Sequence, residues 1–385
     1  MEDLSCKFLD GGYTVGTRGT IKPCCVMRGV PNQPFWENKH HQEVDWWKEV
    51  KSDLESGIRH PYCYACWNLE AVGERSTRNH GNDWFVKDWI GPITPWTWVD
   101  LKLGNLCNLQ CRMCHAGNST QIAKEIDNNL NENWPAHTMK KYRSNLRVPD
   151  WYNDSEFYDQ LRNNASKIRY LKFTGGEPTI ISHVHDVMEW FVKSGHAEHI
   201  DTQITTNGTN TKTELYKNME KFKSAEVRVS VDGVGKVYEY IRYPHKWKQF
   251  EKNMGILTTQ FDLAVSFCYT LVPYNLFDID NFSAWFSTIK TNTVSGWSIN
   301  PATVPDFMDV RNLPEDMIQR AIEYLSNYDN ESTRALKYLT SPDHANSSDN
   351  TLNTLISHTN ILDRLRNQNI RDIDNERSRW YEIFK

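Results

Sequence analysis

The sequence lacks several features that define common classes of protein. No apolar run approaches the roughly 18 residues that a membrane helix needs, and the segment from Met1 to Leu4 is acidic where a secretory signal is basic. There is no excess of positive charge either, because 44 Lys and Arg against 49 Asp and Glu give a net charge of −5. We therefore expect a cytoplasmic protein with no membrane partner and no broad contact with a nucleic-acid backbone.

Glycine and proline are too scarce for a fibrous or disordered chain. The 385 residues contain 19 Gly and 15 Pro, while aromatic residues reach 12%, so we expect a large globular domain and a smaller one. The nine cysteines are odd in number, and eight of them lie in the first third of the chain. A disulfide framework is therefore not expected, and clustered thiols of this kind usually bind metal.

From about residue 96, short apolar or alternating runs are each followed by a longer amphipathic or polar stretch. This pattern predicts strands at 98–103, 168–173, 199–205, 226–231, 263–271 and 296–299. It predicts helices at 119–130, 155–165, 183–194, 212–223, 235–259 and 280–290. Six strand-then-helix repeats imply an α/β fold with a parallel sheet that is closed or partly closed into a barrel.

The same pattern predicts three parts of the chain. Residues 1–92 have five cysteines and little periodicity, so we expect a small domain held together by a metal or a cluster. Residues 93–305 form the predicted barrel, interrupted by an insertion at 128–154. Residues 306–385 are predicted to be a helical extension that packs on the barrel.

The sharpest motif is the cysteine triplet Cys107, Cys111 and Cys114, which follows the first strand of the predicted barrel. Three thiolates at this spacing hold three corners of a cubane cluster. No fourth cysteine lies nearby, which leaves one iron open to a ligand and favours chemistry over electron storage. The alternative is a zinc knuckle, completed by His115 or by a distant residue.

A second motif, Thr174-Gly175-Gly176-Glu177-Pro178, follows the next predicted strand and is expected at the same end of the barrel. Paired glycines let the backbone approach a ligand closely, and a carboxylate accepts hydrogen bonds from an ammonium group. The alternative is an ordinary turn at the end of a strand.

Together, the CxxxCxxC triplet and Gly-Gly-Glu-Pro resemble the radical S-adenosylmethionine (radical SAM) superfamily over about 96–300. The resemblance implies a partial (β/α)6 TIM-like barrel. It implies that the triplet holds a 4Fe-4S cluster whose fourth iron chelates the amino and carboxylate groups of S-adenosylmethionine. Cofactor contacts are implied for Thr174, Gly175, Gly176, Glu177, Asn207, Ser230 and Arg242. For the last three, a turn, a helix cap and a solvated helix residue are the alternatives.

The N-terminal cysteines form a second possible ligand set, made of Cys6, Cys24 or Cys25, Cys63 and Cys66. Four thiolates close a cluster completely, so such a site would transfer electrons or hold structure. The arrangement resembles the auxiliary-cluster module called twitch or SPASM, although that module usually follows the barrel. A structural zinc site is the alternative, and the choice between Cys24 and Cys25 stays open.

The resemblance implies an enzyme that cleaves S-adenosylmethionine reductively to methionine and a 5'-deoxyadenosyl radical, which takes hydrogen from a peptide or small metabolite. A low-potential donor such as flavodoxin or ferredoxin would supply the electrons. Twitch-type members, some encoded by bacteriophages, are the most similar. Two alternatives are a zinc-stapled binding module without chemistry and a radical SAM enzyme that modifies nucleotides or tRNA, which the net charge disfavours.

Cys268 is expected to be an inert thiol packed within a strand.

Overall fold

The computed structural model describes residues 3–37, 43–71, 73–87, 91–146, 150–289, 291–328, 332–341, 349–374 and 378–384. Within these residues the strands are β1 (Gly12–Val15), β2 (Ile21–Lys22), β3 (Trp98–Leu101), β4 (Tyr170–Phe173), β5 (Asp201–Thr206), β6 (Ser224–Ser230), β7 (Ala264–Leu271) and β8 (Val294–Pro301). They form an open, mostly parallel sheet in the order β2-β1-β3-β4-β5-β6-β7-β8. This architecture confirms the predicted α/β fold class.

The helices before β7 are α1 (Phe8–Gly11), α2 (Asp45–Glu55), α3 (Tyr64–Ala71), α4 (Thr77–Lys87), α5 (Thr120–Asp127), α6 (Ala136–Asn145), α7 (Ser155–Asn163), α8 (Ser182–Lys193), α9 (Glu214–Met219), α10 (Gly235–Ile241) and α11 (Trp247–Gln260). After β7 come α12 (Ile279–Phe286), α13 (Glu315–Ser326), α14 (Ser332–Leu339), α15 (Asp349–Arg366) and α16 (Trp380–Ile383). No helix in the described ranges is long and apolar enough to cross a membrane.

All six predicted strands are present as β3 to β8, and their ends differ from the predicted ends by no more than two residues. The predicted helix at 235–259 is instead two helices, α10 and α11. Pro244 lies between them, and proline has no N–H to donate to a helix and clashes with the preceding turn. A proline inside a helical pattern thus ended one helix and let a second begin.

The sheet also contains β1 and β2, which are not among the six strands of the predicted barrel. β1 pairs in parallel with β3, so that Thr14 lies opposite Asp100, and β2 pairs with β1 in antiparallel orientation. All four residues of β1 are buried, so it has none of the apolar–polar alternation that marks a half-exposed strand. A run of four residues is too short to be assigned from composition alone.

The chain forms two compact units, each discontinuous in sequence. The first unit comprises 1–105, 148–204 and 213–226, and the second comprises 106–147, 205–212 and 227–385. The first contains the N-terminal cysteines and the Gly-Gly-Glu-Pro motif. The second contains the cysteine triplet together with Asn207, Ser230 and Arg242.

Candidate cluster and cofactor site

The cysteine triplet lies on the loop that leads into α5 of the second unit. The Thr120 hydroxyl lies 3.3 Å from both the backbone N–H and the carbonyl of Cys107. Ser119 caps α5, and its hydroxyl donates to the Leu109 carbonyl at 2.6 Å. The start of a helix therefore fixes the loop, because hydroxyl side chains at the cap bind backbone groups of the motif.

Two side-chain donors approach the sulfurs of the triplet. Asn207 Nδ2 lies 3.9 Å from Cys107 Sγ, and Arg242 Nη1 lies 3.9 Å from Cys111 Sγ. Both donor side chains are buried. N–H groups directed at sulfur stabilise a thiolate and tune a metal centre bound through it. Burial raises the pKa of Cys111 to about 12, and Arg242 opposes that rise.

Arg242 forms a fully buried ion pair with Asp232, with 2.6 Å between Nη2 and Oδ2. Burial alone would lower the pKa of Arg242, but the carboxylate of Asp232 and the sulfur of Cys111 raise it overall, so the guanidinium stays charged. Its Nε is buried and has no hydrogen-bond partner in the described residues. Such an orphaned donor beside the triplet fits an anionic ligand such as the carboxylate of an amino acid.

The triplet loop is fastened to the segment after α10. Gln110 N–H donates to the Tyr243 carbonyl at 2.8 Å, and Arg112 N–H donates to the Ile241 carbonyl at 3.0 Å. These backbone bonds fix the triplet loop next to Arg242, the residue between those two carbonyls. Ser230 ends β6 and is half-buried.

Arg112 lies inside the CxxxCxxC motif, and sequence reasoning did not single it out. Its fully buried guanidinium donates to the Asp363 carboxylate of α15 at 2.5 Å and to the Tyr240 carbonyl at 2.9 Å. It also lies 3.6 Å from the Tyr240 ring centroid. Helix α15 packs further against this region, because Ile361 and Leu362 share an apolar core with α5 and Cys114 contacts that core. Helix α15 is thus part of the support of the triplet loop.

The Gly-Gly-Glu-Pro motif of the first unit has a backbone that requires glycine. Gly175 has φ +112°, and a Cβ there would lie 3.0 Å from the Gly104 carbonyl. Glu177 is buried, and its carboxylate accepts from the Thr179 N–H at 3.0 Å and from the Thr179 hydroxyl at 2.6 Å. Thr174 donates to Asp100 at 3.3 Å. The motif is therefore a capped turn after β4 whose backbone conformation suits glycine at position 175.

The N-terminal cysteines lie around one small cavity of the first unit. Cys6, Cys24, Cys63 and Cys66 line this cavity, whereas Cys25 does not. Burial raises the pKa of Cys6 and that of Cys63 to about 12, so these thiols are protonated at neutral pH. Within the described residues, no three Cys, His, Asp or Glu side chains are grouped so as to hold a single ion. Each iron of a cubane takes one protein thiolate, so cluster ligands do not need to converge on one ion.

An arginine also lies beside this cavity. Arg78 pairs with Glu70, with 3.1 Å from Nε and 2.7 Å from Nη2 to the two carboxylate oxygens. Its Nη1 donates to the carbonyls of Asp3 and Ser5, at 3.1 and 3.0 Å. Since Glu70 is on α3 with Cys66, Arg78 ties the segment that carries Cys6 to that helix. Every nitrogen of this guanidinium has a partner.

The described residues thus form a mostly parallel α/β sheet, with three thiols on the loop that leads into α5. Residues 101–286 match the family model described as Radical SAM superfamily. The chain is therefore an enzyme that contains a radical SAM domain over these residues, and this family implies a 4Fe-4S cluster and S-adenosylmethionine. None of the curated proteins matches this chain.

Several solved structures are similar to this chain. SuiB from Streptococcus suis, bound to S-adenosylmethionine, is 14% identical over 76% of this chain and 61% of its own, with a TM-score of 0.40. The protein anSMEcpe with bound AdoMet is 15% identical over 59% and 56%, with a TM-score of 0.39. TYW1 with a lysine-pyruvate adduct is 15% identical over 66% and 84%, with a TM-score of 0.35. The chain spans about three fifths of the length of SuiB, and likeness at these TM-scores carries no argument about the reaction.

Proposed function

We propose that this protein cleaves S-adenosylmethionine reductively, with Cys107, Cys111 and Cys114 as ligands of a 4Fe-4S cluster. The observation that carries the proposal is the buried Arg242, which donates to Cys111 at 3.9 Å and whose Nε has no hydrogen-bond partner among the described residues. An unpaired buried donor destabilises the fold, so a ligand that accepts a hydrogen bond from Arg242 Nε would lower that cost.

When bound, the reduced cluster supplies one electron that splits the sulfonium into methionine and a 5'-deoxyadenosyl radical. The residues of this chain bind and orient the cofactor. Arg242 Nε donates to the carboxylate of S-adenosylmethionine. Asn207 and Ser230 provide the other contacts of the second unit with this cofactor. In the first unit, Glu177 accepts a hydrogen bond from the amino group of S-adenosylmethionine. Gly175 and Gly176, next to Thr174, let the backbone approach the cofactor closely.

We further propose that Cys6, Cys24, Cys63 and Cys66 hold a second, auxiliary 4Fe-4S cluster in a twitch-like or SPASM-like module. The shared cavity supports this ligand set and favours Cys24 over Cys25. The domain boundaries proposed from the sequence are 1–92, 93–305 and 306–385. The substrate class is a peptide or a small metabolite, the electron donor is a flavodoxin or ferredoxin, and the compartment is the cytoplasm.

The test is 5'-deoxyadenosine formation from S-adenosylmethionine and dithionite after anaerobic reconstitution. Cys111→Ala removes one of three cluster ligands and is expected to abolish the product, whereas the matched variant Cys25→Ala, outside both ligand sets, should retain it. Full retention in Cys111→Ala would contradict the proposal. Near-zero iron together with two bound zinc ions in the wild-type protein would instead identify a zinc-stapled binding module.

A further inference from the structure

Strands β7 and β8, with the second half of β6, carry apolar side chains on one face and polar ones on the other. Phe267 and Tyr269 of β7 are buried and pack on α12, with ring centroids 5.5 Å from Trp285 and 5.2 Å from Phe282. Because successive strand residues point to opposite faces, their neighbours lie on the other face. That second face, called the polar face here, carries the half-buried side chains of Arg228, Ser230, Ser266, Cys268, Ser298 and Asn300.

Arg228 crosses the polar face. It starts on β6, and its Nη2 donates to the Ser298 hydroxyl of β8 at 2.7 Å. Since β7 lies between these strands, the guanidinium passes over β7. Ser298 is in register with Cys268, whose sulfur lies 3.0 Å from Asn300 Nδ2. The guanidinium therefore lies close to Cys268, which is half-buried.

Arg228 differs from the buried arginines of the second unit in its partners. In the described part of the chain no carboxylate pairs with this guanidinium, and its Nε is buried without a partner. Arg112 and Arg366 also have one unpartnered Nη1, but each pairs with a carboxylate, Asp363 and Glu125, as Arg311 does with Asp309. A partly desolvated cation with an unused donor is costly unless an anion completes it.

The polar face adjoins the triplet. Asp232 accepts from the backbone N–H of Thr270, two residues beyond Cys268 on β7, at 2.7 Å. Asp232 also pairs with Arg242, which donates to Cys111. Arg228 and Ser230 are two residues apart on one strand, which corresponds to about 7 Å along β6. A molecule bound at Arg228 therefore lies within a small-molecule length of the proposed site of chemistry.

We infer that Arg228 binds an anionic group of the substrate, a carboxylate or a phosphate, on the polar face. The identification of that ligand as the substrate rests on the proposed function, whereas the anion site itself rests on the unpaired guanidinium and its surroundings. The substrate class is thereby narrowed to molecules that carry a negative charge near the atom that reacts.

The experiment uses Cys268 as a reporter in the reconstituted holoenzyme. The thiol is alkylated with iodoacetate, which is anionic, or with iodoacetamide, which is neutral, and the Cys268 peptide is quantified by mass spectrometry. We expect Arg228→Gln to lower the ratio of iodoacetate to iodoacetamide rates about threefold or more, the effect of one partly screened charge. Arg364→Gln, which removes the same charge from an exposed position of α15, should leave the ratio unchanged.

Succinate and inorganic phosphate separate the two sources of negative charge. Protection of Cys268 from iodoacetamide by succinate alone identifies a carboxylate site, and protection by phosphate alone identifies a phosphate site; both should be lost in Arg228→Gln. An unchanged rate ratio, an unreactive Cys268, or no protection by either anion overturns the inference. Iron content and circular dichroism of Arg228→Gln and Arg228→Lys verify folding. Because alkylation requires no turnover, an intact anion site without 5'-deoxyadenosine formation would refute the proposed function alone.

Discussion

The two groups of cysteines differ most in the arginine that accompanies each. Arg78, beside the four N-terminal thiols, uses all of its nitrogens on Glu70 and on two backbone carbonyls. Arg242, beside the triplet, pairs with Asp232 and donates to a sulfur, but its buried Nε has no partner in the part of the chain that the structure describes. Protein groups thus engage Arg78 completely, whereas Arg242 keeps one donor for a ligand. The comparison therefore separates a closed site from an open one.

The largest expected effect is on metal content, when one of the four thiols of the N-terminal cavity is removed. We expect Cys63→Ala to lose about half of the iron, because one of four cavity thiols is gone, while the triplet keeps its cluster. Anaerobic reconstitution followed by iron and sulfide analysis gives the measurement. Cys25→Ala is the matched control, since Cys25 lies next to Cys24 in sequence but outside the cavity. Equal loss in both variants would contradict the assignment of Cys24.

The free energy of unfolding should fall strongly when either of two buried arginine pairs is broken. Each of these pairs fixes a segment that carries cysteines. Arg78→Met leaves the Glu70 carboxylate buried, and Arg112→Met does the same to Asp363. We expect each to lower the free energy of unfolding by about 3–5 kcal/mol. The exposed pairs Arg75–Asp83 and Arg364–Glu132 provide controls that should change by under about 1 kcal/mol. Chemical denaturation of the reconstituted protein measures the difference, and equal effects at buried and exposed pairs would refute it.

Glu177→Gln should weaken the binding of S-adenosylmethionine without any loss of iron. Glutamine keeps a side-chain oxygen for the turn cap at Thr179 but removes the negative charge. Cofactor affinity should fall roughly tenfold or somewhat more, as expected for one charge-assisted hydrogen bond of about 1.5–3 kcal/mol. Equilibrium binding of S-adenosylmethionine to the anaerobic protein tests this, and an unchanged binding curve would remove Glu177 from the site.

The smallest predicted effect concerns reduction potential. Arg242→Lys keeps the positive charge but cannot reach both Asp232 and Cys111, so the triplet cluster should become harder to reduce by roughly 30–60 mV. Arg78→Lys is the counterpart, because the Arg78 side chain is engaged by carboxylate and carbonyl oxygens, and should leave the auxiliary potential unchanged. Redox titration followed by electron paramagnetic resonance gives both values. Equal shifts would erase the distinction between the two arginines.

Sequence patterns predicted the repeating part of the fold because strands and helices there are long enough to show their periods. β1 escaped prediction because it is short and entirely buried. The choice between Cys24 and Cys25 was not accessible either, since adjacent residues differ only in the direction of their side chains. The place of Cys268 on the polar face of β7 could have been predicted, because Val265, Phe267 and Tyr269 alternate with small polar residues along this strand.

Contacts between distant residues were beyond sequence reasoning. Nothing in the CxxxCxxC motif indicates that Arg112 pairs with Asp363, and nothing near Asp232 indicates that its partner also donates to Cys111. Such pairs depend on how elements pack, which a single sequence does not encode in any local spacing.

The Arg112–Asp363 ion pair can form only after the ribosome has synthesised Asp363. The ribosome makes Asp363 251 residues after Arg112, a delay of roughly 12–50 s at ordinary elongation rates. During that interval the emerging guanidinium lacks its carboxylate, and the thiols beside it have no covering helix. A chain truncated before α15 would therefore lack both the carboxylate that pairs with Arg112 and the apolar side chains that pack on α5, and its triplet loop would lose part of its support.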